Sequence, residues 1–201
     1  RYNEEKNIDI ITKDLNCRTK KIIFPQQYNF FSKLHELITY HDKPICTSNY
    51  FTHSFIHKEA KKNNLKVLVS GLGGDEVFSG YYDHFLMHLR EVKNNENYLE
   101  HLENWKKYIS PIIRNPNYKN VSLFKDIKNR KYMETELSNN LINKIFISKE
   151  ISKFSEKNYS SKLLKNRMLN EIYHESVPVI NCEDDLNSMK ASIENRSPFL
   201  N

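Results

Sequence analysis

The chain contains four glycines, and all of them fall inside Val67-Leu68-Val69-Ser70-Gly71-Leu72-Gly73-Gly74-Asp75-Glu76-Val77-Phe78-Ser79-Gly80-Tyr81. Glycine tolerates positive φ and lets a ligand approach the main chain closely. Backbone N–H groups left free in such a turn, or at the start of a helix, favour an anion such as phosphate. Asp75 and Glu76 would repel a bare phosphate. They make sense around a divalent cation, because Mg2+ takes one or two carboxylates together with phosphate oxygens. A purely structural interpretation stands beside this one: the two carboxylates cap and charge-match a helix N-terminus, and the glycines serve packing. The spacing matches neither the dinucleotide fingerprint nor the P-loop, so taken alone it leaves both interpretations open.

The elements that must position this turn follow from pattern. Lys66 to Val69 is short, apolar and β-branched, which predicts a buried strand. From Asp75 onward Phe78, Tyr81, Tyr82, Phe85 and Leu89 fall at helical spacing. Upstream, Lys21-Ile22-Ile23-Phe24 predicts a strand closed by Pro25. A helix follows with Phe30, Phe31, Leu34, Leu37, Ile38 and His41 on one face, ended by Asp42-Lys43-Pro44. Thr47 or Ser48 is the expected cap of the next helix, with Phe51, Phe55, Ile56 and Ala60 inward. Strand, helix, helix, strand without a hairpin turn implies parallel pairing through a right-handed crossover. Ligands of open parallel sheets sit beyond the carboxyl ends of the strands, which is where Ser70 to Glu76 falls.

After about residue 92 the strand signal ends. Leu99, Leu102, Trp105 and Ile109 predict one helix, Leu123, Phe124 and Ile127 a shorter one, and Leu141, Ile142, Ile145 and Phe146 another. Leu164, Met168 and Ile172 predict a further helix capped by Ser160 or Ser161. Asp184 or Asp185 is the expected start of a last short helix containing Leu186 and Met189. Lys/Asn-rich stretches near 93–97, 114–120 and 155–162 are expected loops.

At 201 residues one domain is the default. Hydrophobic content of 38% and aromatic content of 12% fit a globular protein. No apolar run approaches the roughly 18 residues a membrane span needs, and the polar N-terminus offers no signal peptide. The 31 basic and 25 acidic side chains give a net charge of +6. The lysines are scattered among Asn and Glu, a pattern that favours solubility over nucleic-acid recognition. Cys17, Cys46 and Cys182 are odd in number, widely spaced and in no CxxC pair, which implies reduced thiols, a cytoplasmic location and no disulfide framework or zinc site. His53 and His57 stand at i, i+4, as helical zinc ligands can. No Glu lies between them in the metalloprotease position and no third ligand is near in sequence, so a polar helix surface or an interface is the preferred reading. No Ser or Cys is marked as an activated nucleophile.

Two segments together resemble a known family. Ser70-Gly71-Leu72-Gly73-Gly74-Asp75-Glu76-Val77-Phe78-Ser79-Gly80-Tyr81 is similar to the SGxGxDExFxGY motif of asparagine synthetases. Asp185-Leu186-Asn187-Ser188-Met189, followed by Ile193-Glu194-Asn195-Arg196-Ser197-Pro198-Phe199-Leu200-Asn201, resembles the D-x-x-S-M…V-E-x-R-x-P-F-L-D signature of the same family. The likeness implies an α/β fold, a parallel doubly wound sheet of the ATP-pyrophosphatase type, followed by a largely helical second half. The expected division is one partial synthetase domain over 1–201, with a nucleotide-binding part over 1–92 and a helical part over 93–201. The resemblance also implies ATP and Mg2+ as cofactors: a carboxylate is adenylated, and ammonia from glutamine then displaces AMP. It places Ser70, Gly71, Gly73 and Gly74 at the nucleotide and Asp75 and Glu76 at the metal. It places Tyr81, Glu194 and Arg196 at the acyl-adenylate. For Glu194 and Arg196 a structural ion pair anchoring the last loop is an equal alternative.

The departures from the family pattern are specific. The glycine-rich SGGxDS pyrophosphate loop, a lysine downstream of PFLD and a glutaminase domain are absent from these residues. Arg1 is not an initiator, and both ends read as cut. The expected partners are therefore the N-terminal glutaminase and pyrophosphate-loop segments of a longer parent chain and a small-molecule carboxylate, with no nucleic acid or membrane and an oligomer left open. The isolated piece is expected to be inactive. Leu72 stands where asparagine synthetases often have Glu, Thr47-Ser48-Asn49 offers no arginine for an aspartate carboxylate, and Lys190 and Asn201 replace a small residue and the final Asp. These changes leave open an acceptor other than aspartate, such as a sugar carboxylate, a peptide or a tRNA base. A non-catalytic scaffold that keeps the fold is the third possibility.

Overall fold

The computed structural model describes residues 5–23, 29–122 and 155–201. The expected helices around Leu123–Ile127 and Leu141–Phe146, and Phe24 of the first expected strand, lie outside those residues. The chain forms two compact units, Arg1–Leu68 with Glu183–Arg196, and Val69–Cys182 with Ser197–Asn201.

The first unit holds α1 (Glu5–Asp14), α2 (Phe30–His41), α3 (Ser48–Lys62), the start of β1 (Val67–Val69), the second half of α8 (Ser176–Ala191) and β2 (Glu194–Arg196). Helix α2 begins where Asn29 Oδ1 accepts the Ser32 N–H at 3.0 Å, a cap of the kind worth about 1 kcal/mol. It ends at Asp42 in the left-handed region, φ 53°. Helix α3 starts after Thr47 as expected, yet no side chain makes a cap bond there. A small core of Ala60, Ala191 and Ile193 closes over Leu68, and Phe51 packs edge-on against Phe30 and Phe55.

Two strand expectations need correction. Lys21 to Ile23 forms no strand and lies exposed, Ile23 at 85%. The partner of β1 is instead β2, from the far end of the chain, in a parallel two-stranded sheet tied by Glu194 N–H to the Lys66 carbonyl at 2.8 Å. Strand β1 is also not buried, with Val69 70% exposed. The α/β class stands on this sheet and its helices, while the doubly wound part stays an expectation.

The last helix, expected to begin at Asp184 or Asp185, begins at Ser176 and is α8. Pro178 reads as a breaker, but it falls in the first turn, where its missing N–H has no partner to lose. The buried face of this helix is polar, with Glu183, Asp184, Asn187 and Ser188 all inside, so no apolar period announces it. Its polar groups tie down the first unit. Asn187 Nδ2 donates to the Tyr50 carbonyl at 2.9 Å, and Glu183 faces Lys43 at 2.9 Å and His41 Nδ1 at 3.3 Å. Burial pushes the His41 imidazole below its ordinary value of 6.5, outweighing the pull of Glu183. His41 is therefore neutral when folded, whereas the unfolded chain takes up a proton near pH 6.5. The stability this provides is complete above that pH and lost as pH falls through the depressed folded value. Between about pH 6.5 and 5.5 the unfolding free energy should drop by up to about 1.4 kcal/mol per pH unit more in the wild type than in His41→Gln, measured by urea denaturation.

The second unit holds α4 (Gly74–Phe78), α5 (Tyr82–Glu91), α6 (Tyr98–Asn104), a π-helical turn (Trp105–Ile109), a 3-10 turn (Pro116–Lys119), α7 (Leu163–Tyr173) and the start of α8. A closing 3-10 turn spans Pro198–Leu200. Its core is Leu86, Met87, Leu89, Trp105 and Ile113, flanked by Phe85, Leu102, Ile109 and Leu164. The π-helical turn widens the coil where Trp105 and Ile109 enter the core, and the helix expected to run through them changes pitch there. Helix α7 follows Lys162, so neither Ser160 nor Ser161 is its cap residue.

Candidate active site: the glycine turn and its covering segment

The helix expected to run unbroken from Asp75 is two helices. Ser79 adopts φ 70° and Gly80 follows it, which ends α4 after five residues and restarts the chain as α5 at Tyr82. A helix this short has little aligned dipole. The polarity of the site therefore rests on the turn and its carboxylates.

Gly73 is the residue before α4 and sits at φ 85°, in the left-handed region. A Cβ there would also collide with the Leu200 side chain, so glycine is required on both counts. At Gly80 an added Cβ would overlap the Asp75 carboxyl group. Gly74 meets only the Phe199 ring at 3.6 Å, and Gly71 meets nothing within 4 Å. The main chain at Gly71 is thus bare without any neighbour demanding it.

The two carboxylates divide. Asp75 is exposed, lying on the Gly80 backbone. Glu76 is 2% exposed and accepts the Tyr81 hydroxyl hydrogen at 2.5 Å. Burial first, and this bond second, push the Tyr81 phenol far above its ordinary value, so it stays protonated and donating. Of the structural interpretation, the capping half does not hold, because the cap residue is Gly73, while the charge-matching half does: Asp75 and Glu76 both lie in the first turn of α4.

The covering segment comes from the C-terminal signature. Ser197 Oγ lies 3.1 Å from Ser70 Oγ, Leu200 sits against Gly73, and Phe199 packs edge-on to Phe78 with centroids 5.2 Å apart. Ser70, Gly73, Gly74, Asp75, Glu76 and Tyr81 are therefore gathered in one unit with Ser197–Leu200. Glu194 and Arg196 belong to the other unit. There they project from β2 as an exposed pair, with Arg196 Nε 2.7 Å from Glu194 Oε1. Lys190, one of the departures, reaches Glu36 at 3.3 Å and lies over the Tyr40 ring.

Sequence reasoning missed the buried cluster behind Tyr81. The Tyr81 and His84 rings meet at 5.2 Å, and His84 Nε2 is 2.9 Å from Glu171 Oε2. Glu171 in turn faces Arg167 Nε at 2.9 Å. Arg167 also faces Glu175 at 2.5 Å, Glu156 at 3.2 Å and Asp83 at 3.6 Å. Burial works against the Arg167 charge, and these four carboxylates overcome it, holding the guanidinium protonated. Asp83, His84 and Glu171 group their ligand-type atoms within 4.8 Å, but Arg167 already supplies a cation there. The one sequence signal available was Arg167 and Glu171 at i, i+4 on a helix.

The profile of one protein family, described as asparagine synthase, matches residues 1–201. The chain belongs to that family, whose members are ATP-dependent carbon–nitrogen ligases that form amides. Comparison with the curated proteins and with the solved structures gives no match. No helix among the described residues is long and apolar enough to cross a membrane.

Proposed function

We propose that the chain is part of a ligase that uses ATP and Mg2+ to adenylate a carboxylate and then lets ammonia, drawn from glutamine, displace AMP. In the first step a substrate carboxylate oxygen bonds to the α-phosphorus and pyrophosphate leaves. In the second, ammonia bonds to the acyl carbon and AMP leaves. The observation that carries the reading is the closure of Pro198–Leu200 over the glycine turn, which joins the two family motifs at Ser70 and Gly73. Ser70 and Gly71, with Gly73 and Gly74 behind them, bind the nucleotide. Asp75, the exposed carboxylate, would hold Mg2+, and a divalent cation bound there would supply positive charge against the departing pyrophosphate. Glu76 contributes through Tyr81: it takes the phenol's one hydrogen and so leaves the hydroxyl oxygen as an acceptor toward the acyl-adenylate. Glu194 and Arg196, the exposed ion pair of β2, are candidates for the acyl-adenylate, with a purely structural pair as the equal alternative.

Leu72 favours a second acceptor class. An isobutyl group cannot bind ammonia or an amino group by hydrogen bonds, which suits a carboxylate that is not an amino acid. The parent chain is proposed to supply glutaminase and pyrophosphate-loop segments and to work in the cytoplasm without nucleic acid or membrane. Calorimetric titration of the protein with ATP tests the reading. Binding that needs Mg2+ supports it; equal binding of ATP with and without the metal, or none with either, overturns it. Carboxylate-dependent pyrophosphate release by the parent polypeptide then separates aspartate from other acceptors.

A further inference from the structure

The histidine pair singled out by its spacing gains in the fold the third ligand it lacks in the sequence. His53 and His57 share one face of α3, and both turn toward Asp184 of α8. His53 Nδ1 stands 3.3 Å from Asp184 Oδ1, and His57 Nε2 stands 4.0 Å from the same oxygen. His57, expected on a polar helix surface or at an interface, is 4% exposed. Its Nδ1 lies 3.0 Å from the His53 carbonyl. A carbonyl only accepts, so Nδ1 carries the proton and the neutral ring presents a bare lone pair at Nε2. That buried nitrogen has no hydrogen-bond partner. It faces a carboxylate oxygen, which is also a lone-pair donor. Two acceptors turned toward each other in a buried place call for a positive charge between them.

The surroundings match a metal site further. Asp184 Oδ2 accepts from the Asn195 amide, and the backbone carbonyl on His57 fixes its tautomer, both of them the outer contacts that metal ligands use. Among the described residues the ion-pair partners of Asp184 are these two imidazoles. Two imidazoles and one carboxylate are a zinc donor set with a fourth position for water. Ligand atoms about 2.1 Å from a tetrahedral ion stand about 3.4 Å apart. The two distances to Asp184, 3.3 and 4.0 Å, lie on either side of that, while the two imidazole nitrogens stand farther apart than 4.8 Å and must close for all three to ligate. His53, whose side chain is 36% exposed, has room to rotate onto the ion and gives it an entry path. We propose that His53, His57 and Asp184 bind one Zn2+ that clips α3 to α8, separate from the Mg2+ expected at Asp75.

The test uses protein stripped with a chelator, without nucleotide. Zn2+ should bind at one equivalent and raise the melting temperature by several degrees, while Mg2+ does neither. Co2+ in its place should give the intense visible bands of a tetrahedral ion. Binding should weaken more than about 100-fold in His53→Gln and about 10- to 100-fold in Asn195→Ala. His53 is part-exposed, so its exchange leaves the fold able to report even where His57→Gln or Asp184→Asn does not. Absence of saturable Zn2+ binding overturns the proposal and leaves a bridging water as the occupant. Unchanged affinity in His53→Gln overturns it as well, assigning the ion to other histidines of the 8 in the chain.

Discussion

Replacing Arg167 with methionine should lower the unfolding free energy by about 3–5 kcal/mol, because it strands carboxylates that the guanidinium holds in a buried place. Arg167 is 7% exposed and faces Asp83, Glu156, Glu171 and Glu175. Methionine fills much of the volume, so the loss is chiefly one of charge. That gives the prediction a sign. Burial already pushes the Glu175 carboxyl above its ordinary value, with Arg167 pulling the other way. Without Arg167 the Glu175 carboxyl rises further, so the folded variant takes up a proton there at higher pH than its unfolded chain. Its deficit against the wild type should be largest above the carboxylate range and shrink as pH falls into it. Urea denaturation at pH 8 and at pH 5 decides: a deficit unchanged between them would mean lost packing and not stranded charge. Arg167→Lys keeps the charge without the fork and should fall between the two proteins.

Exchange of Asp75 for asparagine should cost about 10²- to 10³-fold in ATP–pyrophosphate exchange by the parent polypeptide, with little change in melting temperature. The asymmetry follows from exposure. Asp75 lies open on the Gly80 backbone, whereas Glu76 beside it is buried and holds Tyr81. Asparagine keeps the shape and an oxygen but loses the charge that a divalent cation needs. Loss of exchange together with a collapsed melting temperature would instead make Asp75 a structural residue.

The sequence carried the local elements best where one residue decides them. The glycine turn was legible because Gly73 and Gly80 answer demands no other side chain meets, and α2 because its apolar face and its Asp42-Lys43-Pro44 stop agree. Pairing was not legible. Strand β1 takes its neighbour from Glu194–Arg196, and nothing in either stretch names the other. Helix α8 was cut short because its inward face is made of Glu183, Asp184, Asn187 and Ser188, which pattern analysis assigns to solvent. The Arg167 cluster stayed hidden for the same reason: a buried charge looks like a surface charge until its partners are in place. At the site, seven of the nine expected residues (Ser70, Gly71, Gly73, Gly74, Asp75, Glu76 and Tyr81) fall in one unit, because covalent proximity guaranteed it. Glu194 and Arg196 depended on tertiary structure and belong to the other unit.

The contact between Ser70 and Ser197 spans 127 positions of the chain. At about 5–20 residues per second, a ribosome delivers the glycine turn roughly 6 to 25 s before the segment that covers it. For that interval Gly73 and Phe78 have neither Leu200 nor Phe199 against them. The nascent protein therefore passes through a stage in which the glycine turn is complete in sequence but still uncovered in space.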